Sequence, residues 1–247
     1  MKLAFDCDDG SSAKAALGLI VLKADETIER ELAPLFRDDG VTLFHARIES
    51  APEVTPETLL QMKERLAETS ALFPAERPMD VIAYACTSGA TVIGSREVER
   101  QIQKAFPSAK VTNPAEAIIA ACHHLGVRRI GLVSPYVAEV SDALCALLAE
   151  NGIETPMVGS FEQAEEAVVA RIALHSVEEA VCQIGASDEV EAVFASCTNL
   201  RTLSVIPACE ARIGKPVLSS NLALAWHMRR LAGLSTREAC PGKLFAS

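Results

Sequence analysis

Apolar and polar positions divide this chain into short, unbroken apolar runs separated by longer segments of helical period. The runs in the first half are GLIVL at 18–22, VTLFHARI at 41–48, DVIAYA at 80–85 and KVT at 110–112. Those in the second half are RRIGLVS at 128–134, ETPMV at 154–158, EVEAVFAS at 189–196 and KPVLSS at 215–220. Unalternating runs of this length are strands buried on both faces, and helical segments between them are crossovers. The pattern therefore predicts an α/β fold of parallel sheets flanked by helices. Capping residues agree: Asn113 is an N-cap before Pro114 and Glu116, so a helix is expected to run to Leu125 and stop at Gly126. The stripe Val140, Leu144, Leu147 and Leu148 is likewise ended by Gly152.

One internal similarity changes this picture from a row of elements to two related halves. DVIAYACTSGAT, beginning at Asp80, and EAVFASCTNLRT, beginning at Glu191, each contain an acid, an apolar strand, Cys-Thr and a later threonine. Both fall at the end of the third strand of their half, as a duplicated α/β unit would place them. Two related halves imply two sites that face each other.

Composition removes several classes of function. At 247 residues and 49% hydrophobic, the chain buries a full core unaided. With 23 Lys plus Arg against 33 Asp plus Glu, the net charge of −10 argues against nucleic acid as a partner. The opening MKLAFDCDDG is unlike a signal peptide and runs such as ALGLIVL are too short to span a bilayer, so a cytoplasmic protein without membrane association is expected. Eight scattered cysteines with no C-x-x-C pair point to reduced thiols, and no histidine stands at zinc-ligand spacing from a cysteine. The reading is of a metal-free, cofactor-free protein.

Cys86 and Cys197 are the candidate chemical groups. Strand ends in parallel sheets are where loops open and ligands collect. A helix starting after each cysteine would offer free N–H groups, lowering the thiol pKa toward neutrality and binding carboxylate oxygens. Thr87 and Ser88 on one side, and Thr198 and Asn199 on the other, add donors. The remaining cysteines read as small core residues. Trp226 and His227 read as packing, and His45, His123, His124 and His175 receive no role.

The run SCTNLRTLSVIPACEARIGKPVLSSNLALAWHMRRLAG, from Ser196 to Gly233, closely resembles the maleate cis-trans isomerases and arylmalonate decarboxylases of the aspartate/glutamate racemase superfamily. Gly18-Leu19-Ile20-Val21, Cys86-Thr87-Ser88 and Ser134-Pro135-Tyr136 extend the resemblance, after an added strand-like leader over residues 1–16. It implies two α/β halves related by a pseudo-twofold axis with the site between them, residues 1–113 plus 220–247 forming one domain and 114–219 the other. It places the two active-site cysteines at Cys86 and Cys197 and a substrate-contacting tyrosine at Tyr136. Decarboxylases of the family typically have glycine at the first cysteine, so the pair favours a cofactor-independent isomerase, racemase or cis-trans, acting on a small carboxylate or amino acid. A decarboxylase protonating its product through Cys197 alone, and a non-catalytic small-molecule binder, are the alternatives. Related proteins commonly dimerise, so a homodimer or higher homo-oligomer is expected. The chain departs from the maleate isomerases at Leu22-Lys23-Ala24-Asp25-Glu26-Thr27, a loop similar to the ectoine-utilisation branch, where Asp25 replaces an asparagine that contacts a substrate carboxylate. An aspartate repels a carboxylate and favours a cationic substrate group, unless it only caps the following helix.

Overall fold

The computed structural model describes residues 1–236, 240 and 242–247. Among these residues, eight strands form two parallel four-stranded sheets. The first holds β1 (Ala15–Leu22), β2 (Val41–Ile48), β3 (Val81–Ala85) and β4 (Lys110–Thr112), in the order β2-β1-β3-β4. The second holds β5 (Arg129–Tyr136), β6 (Glu154–Gln163), β7 (Ala192–Ala195) and β8 (Val217–Ser219), in the order β6-β5-β7-β8. The two orders correspond strand for strand, which is the duplication read from the two Cys-Thr segments.

Each sheet has a central pair with no exposed face. β1, β3 and β7 are buried at every residue, because helices cover both sides of a parallel sheet. β6 behaves differently. Its exposure alternates along its length and Val158 remains 49% exposed, so this edge strand has one face open and extends five residues beyond the apolar run at 154–158. The expected leader strand is absent: residues 1–14 form no strand and β1 starts at Ala15.

Caps fall where the side chains place them. Asn113 Oδ1 accepts from the Glu116 N–H at 3.0 Å and starts the helix Pro114–Leu125. Gly126 ends that helix with φ 69°, a left-handed conformation that costs glycine little. The helix Ser220–Leu231 then crosses back from β8 to lie on β3, β4 and the helix Pro114–Leu125. The ends of β3 and β7 are thereby brought toward one another. No described helix is long and apolar enough to cross a membrane.

Candidate active site

Cys86 follows β3 and is the N-cap of the helix Thr87–Ile93, its sulfur accepting from the Gly89 N–H at 3.2 Å. Glycine is required there: a Cβ at position 89 would collide with the Tyr84 hydroxyl and lie 2.9 Å from the Cys86 sulfur. Cys197 follows β7, but no helix begins after it, since residues 198–204 turn without helical bonding. Its φ of 153° is one that side chains rarely adopt. Its N–H donates to Ser220 Oγ at 3.0 Å, and its sulfur accepts from the Asn199 N–H at 3.3 Å. Ser220 Oγ also shares a 2.7 Å hydrogen bond with Thr87 Oγ1, so one hydroxyl ties both Cys-Thr turns together.

Both cysteines line a single narrow cavity of about 10 Å³, together with Thr87, Ser88, Tyr136, Glu166 and Thr198 and an apolar wall of Leu22, Val54 and Leu59. That volume holds no more than about one water. On one side the chamber is bordered by a strap in which Val54 N–H donates to the Ala164 carbonyl and Glu166 N–H to the Pro52 carbonyl, each at 3.1 Å, around an antiparallel bridge between Glu53 and Glu165. Outside the strap lies a recess of about 380 Å³ lined by Glu26, Glu53, Glu165 and Glu166.

Six of the eight residues singled out from sequence therefore meet at one chamber: Cys86, Thr87, Ser88, Tyr136, Cys197 and Thr198. The other two stand behind it. Asn199 donates its amide to Glu166 Oε2 at 2.6 Å and accepts from the Glu26 N–H at 2.9 Å. Asp25 Oδ1 caps the helix Ile28–Leu32 by accepting from the Thr27 and Ile28 N–H groups, both at 2.8 Å, while Oδ2 is buried with no hydrogen-bond partner. The nearby Thr198 hydroxyl donates to the Ala85 carbonyl.

Sequence reasoning missed Glu166 and Ser220. Glu166 is buried and accepts from the Tyr136 hydroxyl at 2.6 Å, and that hydroxyl lies 3.1 Å from the Cys197 sulfur. Its surroundings in sequence, EQAEEAVVA, read as a solvated acidic face, and nothing local marks one glutamate as buried. Ser220 carried a weak signal, since it closes the KPVLSS run at a strand end.

The electrostatics reverse one expectation. Thiols near neutrality were expected from helix N-termini, yet burial pushes Cys86 up to about 12 and Cys197 well above its ordinary value. Desolvation outweighs the N–H donors, and the charges of Glu166 and Asp25 add to it. Burial also raises Asp25 and Glu166 above the ordinary carboxylate range. No lysine, arginine or histidine lines the chamber to offset them.

Comparison with known proteins finds relatives of the same fold. The maleate isomerase of Nocardia farcinica (strain IFM 10152) is 27% identical over 237 residues, covering 92% of this chain and 94% of its own length. Two solved structures share the fold. The maleate isomerase Iso from Pseudomonas putida has a TM-score of 0.86 at 23% identity, over 94% of this chain and 98% of its own. A mutant of Nocardia farcinica maleate cis-trans isomerase with a covalently bound succinylcysteine intermediate has a TM-score of 0.83 at 24% identity, with the same coverage. The sequence pattern of one family matches residues 17–245, nearly the whole chain, and so this chain belongs to the arylmalonate decarboxylase family of enzymes.

Proposed function

We propose that this chain is a cofactor-independent isomerase in which Cys86 and Cys197 act from two sides on one small carboxylate or amino acid. The observation that carries the reading is the shared chamber: two sulfurs from the two halves of the chain line the same cavity. A relative named as a maleate isomerase, and a solved relative whose cysteine carries a succinyl group, support chemistry at sulfur. In such a site one thiolate removes a proton or adds to a double bond, and the opposing thiol returns a proton. The hydroxyls of Thr87 and Ser88 are the donors for a substrate carboxylate, that of Thr198 being directed to the Ala85 carbonyl.

Charge narrows the substrate. A dianion would enter through a recess of glutamates into a chamber holding Glu166, with Asp25 behind it and no cationic side chain in the lining. Bringing like charges together in a poorly solvated site is costly, whereas an ammonium or amidinium group is attracted. The substrate on this reading is a carboxylate that also carries a positive group, facing Asp25.

Proton NMR of a panel of amino acids and dicarboxylates in deuterated water tests both parts. Deuterium exchange with epimerisation, or inversion of a double bond, is the expected result, and it should occur on cationic members in preference to maleate. Release of carbon dioxide as the main reaction would overturn the isomerase. Unchanged affinity for a cationic substrate in Asp25→Asn would remove the role given to Asp25.

A further inference from the structure

We propose that Glu166 is the proton acceptor that turns Cys197 into its thiolate, acting through the hydroxyl of Tyr136. The inference rests on the reading of Cys197 as a reacting group and adds a residue that sequence did not single out. Three groups from three segments form an unbroken chain: the Cys197 sulfur, the Tyr136 oxygen 3.1 Å away, and Glu166 Oε1 a further 2.6 Å on. The tyrosine proton is committed to the carboxylate, so the thiol proton points to the tyrosine oxygen. In the step proposed, the S–H bond of Cys197 breaks and its proton passes to Tyr136, while the O–H proton of Tyr136 passes to Glu166. The products are a thiolate, an unchanged tyrosine and a neutral carboxylic acid.

The reason for this route is the charge of the chamber. Loss of the Cys197 proton to solvent would place a second negative charge beside Glu166, with Asp25 close by and no cation in the lining. Transfer to Glu166 moves the existing charge instead of adding one. The groups facing Glu166 are Tyr136 from β5, the Asn199 amide from the second cysteine turn, and Asp25 from the loop after β1. Cys86, at the end of β3, also feels its charge. Burial makes Glu166 a stronger base than an exposed glutamate, and the Asn199 bond to Oε2 fixes the carboxylate for the relay. Cys86 has a tyrosine partner too, Tyr84, but that hydroxyl donates to the Met62 sulfur at 3.4 Å, so no carboxylate ends the chain to take the Cys86 proton. Cys197 is thereby the sulfur poised to act as a base, with Glu166 a positioning residue that acts through Tyr136.

The test measures alkylation of Cys197 and Cys86 by iodoacetamide, separately by peptide mass spectrometry across a pH series, in wild type, Glu166→Gln and Tyr136→Phe. Because both sulfurs line one chamber, the Cys86 rate corrects for its opening. The wild-type Cys197 rate is expected to hold a plateau through neutral pH, since the internal transfer does not depend on solvent protons. In each variant the plateau should disappear, leaving only an alkaline rise, and the Cys197 to Cys86 ratio at neutral pH should fall about tenfold or more. If Glu166 merely opposes the thiolate by its charge, Glu166→Gln raises that ratio; a raised or unchanged ratio overturns the proposal. Tyr136→Phe, which removes one oxygen, decides the matter by the same ratio should Glu166→Gln fold poorly. Failure here leaves the isomerase standing, whereas full turnover in Cys197→Ser would remove both.

Discussion

The two oxygens of Asp25 stand in different surroundings. Oδ1 holds a helix start and Oδ2 is left without a partner in a buried place. Its folded-state pKa is raised, so this group favours the folded state at acid pH, and that contribution is lost as pH rises through the raised value. At neutral pH it therefore costs stability. Asp25→Asn keeps the capping oxygen and removes the charge, and chemical denaturation should show a gain of about 1 kcal/mol at neutral pH that shrinks toward acid pH. Cysteines and turn residues were legible at this scale because Cys-Thr at a strand end is a local pattern. Glu166 was not, because only the folded chain places it beside Tyr136, 30 residues away in sequence.

Strands and caps were legible as elements wherever both faces are covered, since an unbroken apolar run has one explanation in a parallel sheet. The edge strand β6 was read short because after Val158 the unbroken run gives way to alternation, with Ser160 and Glu162 exposed on either side of Phe161. The helix expected after Cys197 failed for a different reason. The N–H groups of Thr202 and Leu203 are bound at 2.7 and 3.0 Å by Glu31 Oε1, a carboxylate from the other half, and Asn221 donates to its Oε2 at 2.7 Å. A tertiary partner thus replaces helical bonding in the turn. Glu31→Ala leaves these donors unpaired and should lower stability by about 2–4 kcal/mol in a denaturant titration. The strap over the chamber yields a second prediction. Glu53 and Glu165 are paired across an antiparallel bridge flanked by the Val54 and Glu166 hydrogen bonds, a narrow pair whose spacing suits a disulfide. The double substitution Glu53→Cys with Glu165→Cys should lose turnover on oxidation and regain it on reduction, because a shut chamber of about one water's size admits no substrate.

The two halves carry the same strand order, and their function depends on being held together. Asn199 and Thr27, and Glu31 and Thr202, bond between the halves, and Ser220 on the returning helix bonds both Thr87 and the Cys197 N–H. Farther out, Arg229 on the returning helix Ser220–Leu231 is 2% exposed and pairs with Asp38 at 2.7 Å while donating to the Leu35 carbonyl. Arg229 holds the Asp38 carboxyl below its ordinary range, so this pair contributes above the unfolded value and is lost as pH falls through the lowered one. Asp38→Ala leaves a buried guanidinium without its counter-ion and should cost about 3 kcal/mol, read as a lower midpoint of unfolding. The duplication itself was legible from two short segments. The apolar wall of the chamber was not, because Val54 and Leu59 are apolar residues that sequence offers no reason to separate from the core.

Turnover of Cys86→Ser and Cys197→Ser, each compared with wild type on a substrate found to react, tests most directly whether one reaction needs both sulfurs. Loss of about a thousandfold or more in each variant, with the fold intact by circular dichroism, is the expected result. Cys86→Ser working within tenfold of wild type would contradict the paired mechanism and leave Cys197 to act alone.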